Sequence, residues 1–149
     1  MPVGEICNRE VVFTPRNTPV IDAAKLMRRR HVGTLVVVDQ ADGRPAPAGI
    51  VTDRDLAIGV LAAEVDPSTL SVGDVMGGEL ITAGETMGIF EVIQLMRYKG
   101  VRRIPVVDGK GGLVGIVASD DLLRILGEEI TELAKVISRE QQRERRIRR

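Results

Sequence analysis

The chain has 149 residues, 44% of them apolar, and 21 acidic side chains balance 21 basic ones, so its formal net charge is zero. That length holds one domain or two small units sharing a core, and the neutral total excludes a global field that would draw the chain to nucleic acid. A lone Cys7 excludes an internal disulfide, the opening "MPVGEICNRE" is not a signal peptide, and no run is long enough to span a membrane, so a soluble cytoplasmic protein is expected.

In chain order, the first predicted strand is Val11-Val12-Phe13. An amphipathic helix follows over about 20–30, with Ala23, Leu26 and Met27 at helical spacing. Two apolar strands come next, Leu35–Val38 and Ala48–Val51, and a second helix begins at Asp53. The order then starts again. Shifted by 69, Val3-Gly4-Glu5-Ile6 falls on Val72-Gly73-Asp74-Val75, and Leu26-Met27-Arg28 falls on Leu95-Met96-Arg97. Val37-Val38-Asp39 falls likewise on Val106-Val107-Asp108. The second copy therefore predicts a strand at Leu80-Ile81-Thr82 and a helix over 88–99. Strands at Ile104–Val107 and Leu113–Val117 follow, then a helix from about Ser119. Between the last two strands the shift drops to 66, because "QADGRPAPA" in the first copy is three residues longer than its counterpart. Gly- and Pro-rich extra sequence of that kind is expected in a hairpin loop.

Each copy reads strand–helix–strand–strand–helix, an α/β (α+β) fold, with copies at 1–67 and 68–127 and a C-terminal helix at 128–149. Units of about 60 residues are too small to be comfortable alone. Their sheet faces are expected to pack together as a pseudo-twofold pair, with clefts where the copies meet.

The two copies end alike, in "GIVTDRDL" at 49–56 and "GIVASDDL" at 115–122. Thr52 with Asp55 three residues on reads first as a capping box at a strand-to-helix turn. The same residues can also grip a nucleotide. A carboxylate accepts hydrogen bonds from two vicinal ribose hydroxyls, Thr52 adds a hydroxyl, Arg54 adds a cation, and a helix start suits phosphate.

The doubled unit, the strands in "HVGTLVVVD" and "VRRIPVVD", and the two "GIV" endings together closely resemble the CBS-domain family, as a tandem pair often called a Bateman module. The resemblance covers about residues 3–127. It implies a regulatory, non-catalytic module that binds an adenosine-containing ligand (AMP, ADP, ATP, NAD or S-adenosylmethionine) and forms a homodimer read by an unknown effector protein. Gly49, Thr52 and Asp55 fit the family's Gly-x-x-Ser/Thr-x-x-Asp signature, which implies Thr52 and Asp55 on ribose and Arg54 near phosphate. Thr34 is a further candidate, and the base would rest near Met76, Ile81 and Val101. In the second copy Gly115 and Asp121 fit, but Ala118 replaces the hydroxyl, which removes a hydrogen bond worth about 0.5–1.5 kcal/mol. Arg102 and Arg103 stand where the first copy has Gly33-Thr34, and in the family this position can face phosphate. The alternative for both arginines is a solvated turn.

His31, the only histidine, follows three arginines at a helix end and reads as a surface cap. Cys7 reads as a packing residue. No metal-ligand spacing, nucleophile elbow or P-loop is present, so no metal site, required cofactor or catalysis is expected. Leu126, Ile130, Leu133 and Ile137 form an apolar stripe on a helix that runs into "SREQQRERRIRR". That stripe packs on its own module or on a dimer mate. The Arg143–Arg149 run leaves a scaffold role open, with contacts to nucleic acid, an anionic lipid surface or an acidic partner.

Overall fold

The computed structural model describes residues 1–148; the last residue of the Arg143–Arg149 run lies outside them. They divide into two compact units, Met1–Val117 and Ala118 onward. The first unit opens with a short 3-10 turn at Val3–Glu5. It continues with β1 (Phe13–Pro15), α1 (Val20–Arg30), β2 (Thr34–Ala41), β3 (Arg44–Thr52) and α2 (Asp53–Leu56), the last running into a π-helical turn over Ala57–Leu61. The second copy repeats this order as α3 (Val72–Val75), β4 (Ala83–Gly84), α4 (Ile89–Lys99), β5 (Arg103–Val107) and β6 (Leu113–Ala118). The second unit is one helix, α5 (Ser119–Ile147). It passes without a break through 127/128, where the sequence suggested a boundary.

Each copy builds a three-stranded sheet, in the order β1-β2-β3 or β4-β5-β6. β1 runs parallel to β2, β3 antiparallel to it, and β4 parallel to β5. Leu35, Val36, Val37 and Val38 are all buried, so both faces of β2 are covered. Leu35 and Val37 pack with Ala23 and Met27 of α1 and with Val72 of the second copy. Val36 and Val38 alternate onto the opposite face of β2 and are buried there as well.

The copies exchange their leaders. Val3 and Gly4 donate their N–H groups to Met87 (2.7 Å) and Glu85 (2.9 Å) of the second copy. The equivalent Val72 and Gly73 donate to Thr18 (2.9 Å) and Arg16 (3.0 Å) of the first. Asn8 and Ile116 exchange both backbone hydrogen bonds at 2.9 Å, so the first leader adds to the β6 edge. These reciprocal bonds lock the halves about a pseudo-twofold axis.

Three sequence expectations need correction. The paired part of β1 begins at Phe13 rather than Val11, and β4 is Ala83–Gly84 rather than 80–82. An apolar run marks burial but does not say which of its residues pair. In the second copy the cause is local: Val36 donates its N–H to Val12 at 3.1 Å, whereas the equivalent Pro105 has no N–H to give Ile81. The extra residues of "QADGRPAPA" do not form a loop. They lengthen β2 and β3 to 8 and 9 residues, with Asp42 (φ 53°) and Gly43 (φ 73°) turning the tip. Two left-handed residues suit a tight hairpin turn, and Asp-Gly is a strong sequence signal for one. A register shift between Val37 and Val38 absorbs the odd residue.

Candidate functional site

β3 delivers Thr52 in extended conformation, and the chain turns at once into α2. Thr52 Oγ1 accepts the Asp55 N–H at 3.1 Å, and Asp55 Oδ2 accepts the Thr52 N–H at 2.8 Å. The capping box expected from sequence is thus formed. Among the described residues it occupies one oxygen of the carboxylate, Oδ2, and leaves Oδ1 without a partner. Asp53 N–H bonds to Gly33 O at 2.9 Å, tying this turn to the start of β2. A Cβ at Gly33 would lie 2.8 Å from Asp53 Oδ2, so any larger residue there would have to displace that carboxylate.

Beside this turn lies a cleft of about 560 Å³ within the first unit, inside the ~300–1,000 Å³ usual for small-molecule sites. Thr34, Thr52, Arg54, Asp55, Ile81, Val101, Arg102 and Arg103 all line it, joining eight of the ten residues singled out from sequence. They come from both copies: the first supplies β2, β3 and α2, the second the segment before β4 and the stretch from the end of α4 to the start of β5. Ile50, Leu80, Ile81 and Val101 give it an apolar wall. Leu80 and Ile81 can serve there because β4 starts only at Ala83.

The other two candidates lie elsewhere. Met76 does not line the cleft; it sits against Gly49, where an added Cβ would come within 2.7 Å of its Sδ. The signature glycine therefore makes room for the second copy's leader. Its counterpart Gly115 does the same for Cys7, with Sγ 2.5 Å from the Cβ position. Asp121 belongs to α5, where its Oδ2 accepts the Ala118 N–H at 3.1 Å. That is half of the first copy's capping box, since Ala118 has no hydroxyl to return.

Sequence reasoning missed Ile50, Gly77, Gly78, Glu79, Leu80, Lys99 and Gly100 of the lining. Lys99 Nζ meets both Glu79 carboxylate oxygens, at 2.9 and 3.1 Å. Their signal was adjacency, because they fill the gaps beside Gly49, Met76, Ile81 and Val101. The lining thus carries Arg54, Lys99, Arg102 and Arg103 against Asp55 and Glu79. The guanidinium groups of Arg54 and Arg103 have no partner among the described residues.

Outside the cleft, burial pushes the Cys7 thiol up, with Arg9 opposing the shift, so thiolate reactivity is suppressed. His31 caps α1 in the left-handed region, its N–H bonded to Met27 O. No group of three His, Cys, Asp or Glu among the described residues is placed to hold a metal, and no helix is long and apolar enough to cross a membrane.

A family model described as the CBS domain matches residues 3–61 and again 72–128. The uncharacterized protein MK0525 of Methanopyrus kandleri is 37% identical over 123 residues, covering 83% of this chain and 61% of that protein. The CBS domain-containing protein YhcV of Bacillus subtilis is 36% identical over 120 residues, 80% of this chain and 81% of that one. Among solved structures, the CBS domain pair of protein MJ0100 in complex with 5′-methylthioadenosine and S-adenosyl-L-methionine superposes with a TM-score of 0.73. It is 27% identical, and the match covers 87% of this chain and 98% of that one.

Proposed function

The chain belongs to the CBS-domain family, with two copies in tandem, and from that premise we propose that it is a regulatory, non-catalytic module sensing an adenosine nucleotide in the cleft beside Thr52. One observation carries this reading: Thr52, Arg54 and Asp55 of one copy share a single cleft with Arg102 and Arg103 of the other. In this account the free oxygen of Asp55 and the Thr52 hydroxyl hold ribose. The base lies on Ile50, Ile81 and Val101, and the phosphates face the arginines. Signalling then requires that the ligand bind one arrangement of the module better than another.

The charge of the lining ranks the candidates. Four cations against two acids favour phosphate-bearing ligands (AMP, ADP, ATP, NAD) and disfavour S-adenosylmethionine, whose sulfonium and ammonium are both positive. Titration calorimetry of the full chain with these five ligands tests the proposal. Heat is expected from the phosphate-bearing ones, lost in Asp55→Ala and kept in Asp121→Ala, with melting curves checking that both variants fold. Silence from all five at millimolar concentration would sink the reading. It would favour the alternative, a scaffold acting through its C-terminal helix, which the exposed leucines and isoleucines of α5 support.

A further inference from the structure

α5 has 29 residues, a rod about 43 Å long. Along it Leu123, Leu126, Ile130, Leu133 and Ile137 recur at alternating spacings of three and four. Leu123, Ile130 and Leu133 are exposed by 67–70%, and Val136 and Ile137 by 59% each. Single exposed leucines are ordinary, but a continuous stripe of them on one helix marks an interaction face. The spacing is that of a heptad seam. Gly127 and Ala134 flank it and are small enough for close approach.

The charge along the same helix is sharply divided. Ser119–Glu132 holds five acids against Arg124, a net of −4. Leu133–Arg148 holds Lys135 and five arginines against Glu140 and Glu144, a net of +4. Pairing two such helices in parallel sets acid beside acid and base beside base. Antiparallel pairing lays each acidic half along the other's basic half and opposes the helix dipoles. It also relieves like-charge repulsion within one helix, as between Arg139 and Arg143.

We propose that α5 pairs antiparallel with α5 of a second copy of this chain, about a two-fold axis between Ile130 and Leu133. Ile130 of each helix then packs on Leu133 of the other, and Leu126 on Ile137. Four apolar side chains per helix (Leu126, Ile130, Leu133 and Ile137), at roughly 60–120 Å² apiece, remove on the order of 500–1,000 Å² of apolar surface, because Leu123 falls opposite Glu140. That lies below the ~1,200–2,000 Å² of stable interfaces, so the pairing is concentration-dependent, and it weakens with salt.

Cross-linking of the full chain reads the geometry directly. In a Cys7→Ser background, Gly127→Cys and Ala134→Cys proteins are mixed and mildly oxidised; the space around Gly127 is open. Antiparallel pairing joins 127 to 134, so mixed disulfide dimers should exceed self-linked ones several-fold. Self-linked dimers in excess mean parallel pairing and overturn the proposal, as does the absence of cross-links. Sedimentation supplies the second readout: Ile130→Glu/Leu133→Glu should halve the assembly mass at micromolar concentration without moving the melting temperature. An unchanged mass overturns it. So does a chain whose α5 stays unpaired while its basic half binds duplex DNA or phosphatidylglycerol vesicles.

Discussion

Arg44, just past the tip of the first copy's hairpin, donates to the carboxylate of Asp108 at the turn of the second copy's hairpin. The repeat explains the crossing. The equivalent of Asp108 is Asp39, which Arg16 of its own copy holds through Nε (3.1 Å) and Nη2 (2.8 Å). The equivalent of Arg16 is Glu85, which cannot pair with an acid. The lengthened hairpin of the first copy supplies the missing cation. Arg44, joined by the N–H groups of Lys110 (2.9 Å) and Gly112 (3.0 Å), lowers the Asp108 carboxyl from 3.8 to about 2.

A depressed carboxylate pKa contributes stability above its unfolded value and loses it as pH falls through the folded value. The Asp108 contribution is therefore whole above about pH 4 and gone near pH 2. Arg44→Gln should raise the Asp108 pKa toward the ordinary carboxylate range and flatten the loss of stability across that window. Carboxyl carbon NMR titration reads the first effect, and thermal melting between pH 2 and 5 reads the second. The effect should shrink with salt, since both side chains reach solvent.

His31 and Gly100 occupy the same place in the repeat, and both end their helices in the left-handed region, at φ 54° and 68°. Gly100 takes that conformation without strain, whereas His31 must tolerate its Cβ. His31→Gly should stabilise the chain by about 0.5–1 kcal/mol, and Gly100→Ala should destabilise it by about 1 kcal/mol. Chemical denaturation of both variants measures this. A loss of stability in His31→Gly would show that the imidazole makes a contact that outweighs the strain.

The helices α1 and α4 stand where periodicity set them, because an amphipathic stripe is local and self-consistent. Copy equivalence was equally legible, since a constant offset needs no tertiary knowledge. The leader exchange was not. A repeat does not say whether Val3 docks on its own copy or on the other, and only the bonds to Met87 and Glu85 decide it. The cleft was legible where signature residues lined it. The Lys99–Glu79 pair was not, because 20 residues separate the partners and nothing short-range joins them. Asp42-Gly43 could have been read as a tight turn, which would have placed the extra residues in strands.

Gly49 and Gly115 are equivalent but should respond unequally to a methyl group. At Gly49 the added Cβ meets the Sδ of Met76 at 2.7 Å, and that side chain is flexible enough to yield. At Gly115 it meets Cys7 Sγ at 2.5 Å and also Asn8 O at 3.0 Å. That oxygen accepts the Ile116 N–H, so the backbone cannot yield without breaking the edge pairing. Gly49→Ala should cost about 1 kcal/mol and Gly115→Ala about 2–3 kcal/mol. Adding Cys7→Ala to Gly115→Ala should recover only part of the loss. Complete recovery would place the whole clash on the sulfur and refute the backbone argument.

The two strand-to-helix turns hold the same carboxylate on the same backbone N–H, but only the first has a hydroxyl at the cap position. Thr52 Oγ1 accepts the Asp55 N–H, and Ala118 offers nothing to the Asp121 N–H. Removing a cap of this kind costs about 0.5–2 kcal/mol. Thr52→Ala should therefore destabilise the first copy by about 1 kcal/mol. Ala118→Thr should stabilise the second by a similar or smaller amount, because the incoming methyl needs room at a half-buried position. Denaturant titration gives both values. On the proposed function Thr52→Ala also weakens nucleotide binding up to about tenfold, the worth of one neutral hydrogen bond. Calorimetry separates this from the stability term, because the affinity of the folded fraction is unaffected by a small rise in the unfolded one. Unchanged affinity in a variant that has lost the expected stability would make Thr52 a cap alone and leave ribose recognition to Asp55.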